Sequence, residues 1–175
     1  MSDTRWLSPE EQSAWRAFLN ASQLVAERLE RQLQRDCGMP HAYYEILVHL
    51  SEASDRTMRM SALARCSRYS PSRLSHAVAR LEAAGWVRRE DCPSDARGQL
   101  AVLTDEGFAR LAAAAPGHVQ EVRSVLFDAL TADEVAQLRT TCEAILRAAG
   151  DRTAEAPKGA SQGSAPHDPN ASPPL

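Results

Sequence analysis

Residues 74–103 read LSHAVARLEAAGWVRREDCPSDARGQLAVL, and no other stretch so narrows what this chain can fold into. Leu74, Ala77, Val78 and Leu81 recur at helical spacing, and Gly85 falls where a helix C-terminus favours a residue free to take positive φ. Trp86-Val87 and Leu100 to Leu103 are short β-favouring runs separated by a polar tip with Pro93, Asp95, Arg97 and Gly98. A helix that stops at a glycine and is followed by a basic hairpin is the pattern of a winged helix-turn-helix. That architecture sets the helix in the major groove of DNA and the hairpin over the backbone or minor groove.

Charge points the same way. The chain carries a net −3, but residues 56–98 hold nine arginines against four acids. Phosphate binding responds to local potential, so an acidic chain with a basic block can bind DNA. There are nineteen arginines and a single lysine, Lys158, a ratio that genomic base bias explains as well as phosphate recognition does.

The expected fold is mainly α. Helix one starts at Ser8, where Ser8-Pro9-Glu10-Glu11 is a capping box with proline at the first position, and it runs to about Asp36. Trp15, Phe18, Leu19, Val25, Leu29 and Leu33 form its apolar stripe. Helix two spans about 41–52, residues 53–58 read as a polar connection, and helix three spans about 60–66. Helix four opens with Ser70 as cap and Pro71 behind it. Thr104-Asp105-Glu106-Gly107 opens helix five, which Pro116-Gly117 is expected to kink or break. Thr131-Ala132-Asp133-Glu134 opens helix six, which runs to Gly150. From Asp151 onward the proline-rich, apolar-poor composition reads as a disordered tail.

The expected organisation is an N-terminal dimerisation helix over 1–39, a winged helix-turn-helix over 40–104, C-terminal dimerisation helices over 105–150 and the tail over 151–175. The stripes of helices one, five and six exceed what the central module can cover. An intermolecular bundle would cover them and hold two reading heads about one DNA turn apart.

Within helix four, Ser70, Ser72, Arg73, Ser75 and His76 lie on or near the face opposite the apolar stripe. Arg73 suits guanine O6/N7 or a phosphate, and the serines and His76 suit base edges or backbone; capping or solvent exposure would explain the serines equally. Arg80, a turn later, can meet a phosphate or pair with Glu82. Arg88 and Arg89 alternate along a strand, so only one faces DNA, and Arg88 is the candidate. Arg97 at the hairpin tip is the candidate for the minor groove.

Other functions find little support. There is no apolar run near the roughly 18 residues of a membrane span and no signal-peptide core, so a cytoplasmic location is expected. Cys37, Cys66, Cys92 and Cys142 have wide, irregular spacing without a C-x-x-C, so reduced thiols are expected. The five histidines show no metal-ligand spacing with the cysteines, and no phosphate loop or nucleophile elbow is present, so neither a metal, a cofactor nor an enzyme is expected. The competing reading is a winged helix that meets an acidic protein or RNA without sequence-specific DNA binding.

Three segments, MPHAYYEILVHL, MSALARCSRYSPSRLSHAVARLEAAGWVRRE and CPSDARGQLAVLTDEG, resemble the multiple-antibiotic-resistance regulator (MarR) family. The most specific pieces are R-L-E-x-x-G followed by two apolar residues and R (Arg80 to Arg89), then P-x-D-x-R-G and L-T-x-x-G (Pro93 to Gly107). The likeness spans roughly residues 10–148. It implies a homodimer in bacterial cytoplasm that binds an inverted-repeat operator, usually as a repressor, and is released by a small, often aromatic, compound or an oxidant. It also implies that Asp95 orients Arg97. One departure stands out: the family wing commonly carries two adjacent arginines after that aspartate, and here the first is Ala96, which weakens the expected wing contact.

The family's effector cleft lies between the dimerising helices and the reading head. Trp15, Phe18, His41, Tyr43 and Tyr44 are its candidates here. For oxidant sensing, Cys37 is expected past the end of helix one, Cys92 exposed on the wing, and Cys142 in the core.

Overall fold

The computed structural model describes residues 4–92 and 95–150; the side chains of residues 95–97 lie outside the description. The order is α1 (Pro9–Cys37), α2 (His41–Glu52), a 3-10 turn (Ser54–Arg56), β1 (Thr57–Arg59), α3 (Met60–Cys66), α4 (Pro71–Ala83), β2 (Val87–Cys92), β3 (Asp95–Leu103), α5 (Asp105–Val125), a second 3-10 turn (Phe127–Ala129) and α6 (Ala132–Ala148). The fold is a mainly helical winged helix-turn-helix with flanking helices.

The helix starts follow local chemistry. Ser8 and Thr131 form reciprocal capping boxes with Glu11 and Glu134, and Thr104 accepts from the Gly107 N–H. α2 has no cap of its own; the Glu30 carboxylate of α1 accepts the His41 N–H at 2.9 Å. One carboxylate thus satisfies an orphan donor and pins the two helices together.

The core lies between α2, α3, α4 and the sheet, with Leu33, Ile46, Leu47, Leu50, Leu63, Leu74, Val78, Leu81 and Leu111 sealed from solvent. α1 and α5 run antiparallel. Arg28 pairs with Glu121 at 2.7 Å, Gly117 abuts Gln32, and Arg110 reaches the Cys37 carbonyl at 3.4 Å.

The sheet has the order β1-β3-β2, antiparallel throughout. Residues 57–59, of which 57 and 58 fall within the expected polar connection, are a third strand paired with 100–102. Three residues carry too little alternation to signal a strand, and β3 supplies the hydrogen bonds instead. The hairpin arms are also longer than their apolar runs.

α5 is not broken at Pro116-Gly117. The proline removes one backbone hydrogen bond, and its neighbour contributes packing: a Cβ on Gly117 would stand 3.2 Å from Gln32 Nε2. Cys37 closes the last turn of α1 rather than lying past it. Cys92 is buried, not exposed. A register shift between Asp91 and Cys92 turns its side chain to the inward face used by Val87. Cys142 is half-buried, because α6 buries no residue in the single chain.

Two glycines are demanded by geometry. Gly85 ends α4 at φ +77°, and the Trp86 N–H returns to the Leu81 carbonyl at 2.9 Å. At Gly107 an added Cβ would fall 2.1 Å from the Trp86 carbonyl oxygen. Gly107→Ala is therefore expected to cost roughly 1–3 kcal/mol of stability, read as a lower urea midpoint; an unchanged midpoint would show that this approach is not tight.

Candidate nucleic-acid interface and adjoining cleft

α4 divides cleanly. Leu74, Ala77, Val78 and Leu81 are buried, whereas Ser72, Arg73, Ser75, His76 and Arg80 are exposed. The inward stripe fixes the helix on the core, so its first two turns project a polar, arginine-bearing face. Ser70 caps this helix, accepting from the Arg73 N–H at 3.3 Å. Capping thus accounts for that serine.

The basic residues differ in how they are held. Arg88 is exposed and bonds Glu90 through Nε at 2.7 Å. Arg89 turns the other way: it donates to the Ser75 carbonyl at 2.8 Å and approaches Glu82 at 3.5 Å. Glu82 also accepts the Arg89 backbone N–H at 3.3 Å. This clasp ties β2 to α4, so the R-L-E motif acts partly as scaffold, and Glu82 is spent on Arg89 rather than on Arg80. Arg56 pairs with Asp105 at 3.1 Å and covers the Phe108 ring at 3.9 Å.

Arg73 is held without a carboxylate among the described residues. Its guanidinium sits 4.4 Å from the centre of the Tyr69 ring, and the Tyr69 hydroxyl donates to Glu45 Oε2 at 2.9 Å. Burial and the hydrogen bond to Glu45 push the Tyr69 phenol up to about 12, so it stays a donor at neutral pH. Sequence reading missed Tyr69 and Glu45; the only signal was an aromatic four residues before Arg73, flanking the cap. The side chains of Asp95 and Arg97, and residues 151–175, lie outside the described residues.

The five expected effector residues are not brought together. Trp15 and Phe18 stack on each other at 6.1 Å on the exposed first half of α1. Tyr43 packs against the core. Tyr44 opens onto a cleft of about 440 Å³ with Val48, His118, Val119, Val122, Arg123 and Phe127. His41 opens onto a different, shallow cleft of about 480 Å³ that includes Glu30, Arg31, Tyr69 and Arg73. His118 links the two residues, its ring 4.3 Å from Tyr44 and 5.7 Å from His41. Sequence reading passed over His118, although it falls four and seven residues after the buried Ala114 and Leu111.

The site thus defined is that of a winged-helix DNA-binding protein. A family model described as the MarR family matches residues 38–98. The chain is 52% identical to Sco3205, a MarR family transcriptional regulator from Streptomyces coelicolor solved in complex with DNA, over 82% of this chain and 94% of that one, with a TM-score of 0.80. It is 42% identical to AbsC, another from Streptomyces coelicolor, over 85% of this chain and 100% of that one, also at 0.80. A MarR variant from E. coli complexed with operator DNA shares 25% identity over 81% and 99% of the two chains, at 0.70. No curated protein sequence matches. This chain belongs to the MarR family, whose members are transcriptional regulators rather than enzymes. Among the described residues no helix is long and apolar enough to cross a membrane.

Burial, with His41 nearby, pushes His118 down to about 4. Its unfolded value is higher, near the ordinary 6.5, so the unfolded chain binds the proton first. The contribution of neutral His118 is complete above about pH 6.5 and is lost as pH falls toward 4. His118→Gln should flatten the urea-midpoint profile between those limits; a profile as steep as wild type would remove His118 as its cause.

Proposed function

We propose that this chain is a homodimeric regulator that binds a palindromic operator, acts as a repressor, and is released by a small ligand with an aromatic body. The observation that carries the DNA reading is the split of α4 into a buried stripe and an exposed face of Ser72, Arg73, Ser75 and His76. A recognition helix needs that division: one side locked to the scaffold, the other presenting donors to base edges. Arg80 and Arg88 then serve phosphates, and Arg97, oriented by Asp95, enters the minor groove from the wing tip. The DNA-bound relative that is 52% identical supports this assignment.

Pairing draws support from exposed apolar side chains on the flanking elements. Trp6, Leu7, Trp15, Phe18, Leu19 and Leu24 at and before the first half of α1, with Val119, Phe127 and Ile145, are exposed among the described residues. Residues 1–39 and 105–150 are the pairing parts and 40–104 the reading head. For the effector, the cleft at Tyr44 and His118 offers apolar walls from Val48, Val119 and Val122 and one guanidinium, Arg123. Such a lining suits a flat apolar body bearing an acidic group.

The test begins with duplex selected from a randomised pool by the wild-type chain. Log affinity should fall with log salt at a slope of about −0.9 for each phosphate neutralised. Arg97→Ala should weaken binding while the dimer persists in light scattering. A flat salt response, or failure to enrich any duplex, would favour the protein- or RNA-binding alternative. Phe18→Glu should lower the apparent mass toward the 19.1 kDa of one chain; an unaltered dimer would place the interface elsewhere.

A further inference from the structure

We propose that Tyr69 is a positioning residue for sequence readout, a ring platform that pre-sets the Arg73 guanidinium and is itself locked by Glu45. The inference rests on the DNA-binding reading above and adds residues that no groove-facing pattern would select, since Tyr69 is half-buried and precedes α4.

The platform is built from both ends. The chain leaves α3 through Arg68 at φ +53°, and the Tyr69 N–H returns to the Ala64 carbonyl at 3.0 Å. That turn fixes where the ring begins. The hydroxyl, donating to Glu45 of α2 at 2.9 Å, fixes where it ends. Arg73 lies one helical turn beyond, its N–H capped by Ser70 and its guanidinium 4.4 Å from the ring centre.

The manner of restraint decides what Arg73 can still do. A carboxylate partner occupies N–H donors, as Glu90 does for Arg88 at 2.7 Å. A ring face attracts the guanidinium through its π-system and leaves the N–H edge free for a bidentate contact with guanine or a phosphate. Restraint before binding also reduces the rotamer freedom that a long side chain loses on docking. An ordered fork distinguishes a correct base from a wrong one better than a mobile charge does. The Tyr69 ring therefore contributes to discrimination more than to bulk electrostatic affinity.

The experiment is a double-mutant cycle on the full chain, with duplex enriched by the wild-type protein and a scrambled duplex as reference. Tyr69→Leu should weaken the enriched duplex about 3- to 10-fold, relax preference at a single base position, and leave the scrambled duplex unchanged. In an Arg73→Ala background the same replacement should add almost nothing. Tyr69→Phe, which keeps the ring and the fold but drops the tie to Glu45, should give a smaller loss at the same base, and Glu45→Gln, which keeps an acceptor, should stay near wild type. Equal losses in both backgrounds, or equal losses on both duplexes, would overturn the platform role and mark Tyr69 as ordinary packing. Failure of the wild-type chain to enrich any duplex would instead sink the DNA-binding reading beneath it.

Discussion

The chain closes on itself where it enters and leaves the wing. The Thr104 hydroxyl donates to the Gly85 carbonyl at 2.8 Å, and the Thr104 N–H to the Trp86 carbonyl at 3.1 Å. Gly107 lies so close to that same carbonyl that no side chain fits. This knot joins the end of α4, the base of the hairpin and the start of α5 at one point. The clasp of Arg89 on Ser75 and Glu82 extends the same joint one step along β2. With it in place, α4 and the wing keep a set angle, which the proposed contact of both with one duplex requires.

Much of this was legible because it is local. Capping boxes at Ser8 and Thr131, prolines at first positions and stripes at helical spacing gave the helices nearly residue for residue. The motif glycines were legible as pattern, and the structure supplies their reason: a left-handed cap at Gly85 and a backbone approach at Gly107. What failed to show was non-local. β1 exists because β3 offers it an edge. Cys92 is buried because a register shift turns its strand. α5 survives Pro116 because packing on α1 outweighs one missing hydrogen bond.

The site divides along the same line. The outward face of α4 followed from its inward stripe, since a helix with one buried side must expose the other. The Tyr69–Glu45 tie spans 24 positions and joins the turn before α4 to α2, which no window of sequence reveals. The proposed effector residues follow from the family's cleft and from residue type, and neither says which face of which helix a ring occupies here. His118, silent as a lone histidine, stands between Tyr44 and His41 because its helical phase matches that of Leu111 and Ala114.

One consequence follows from the continuity of α5. Its 21 residues extend about 30 Å, from the base of the wing to the exposed apolar residues Val119 and Phe127. A rod has leverage. Tilting the far end by about 5° would swing the near end by roughly 2–3 Å, close to the 3.4 Å rise between base pairs. On the proposed reading, a ligand that shifts that end of α5 in a paired molecule would be geared to the spacing at which the duplex is gripped.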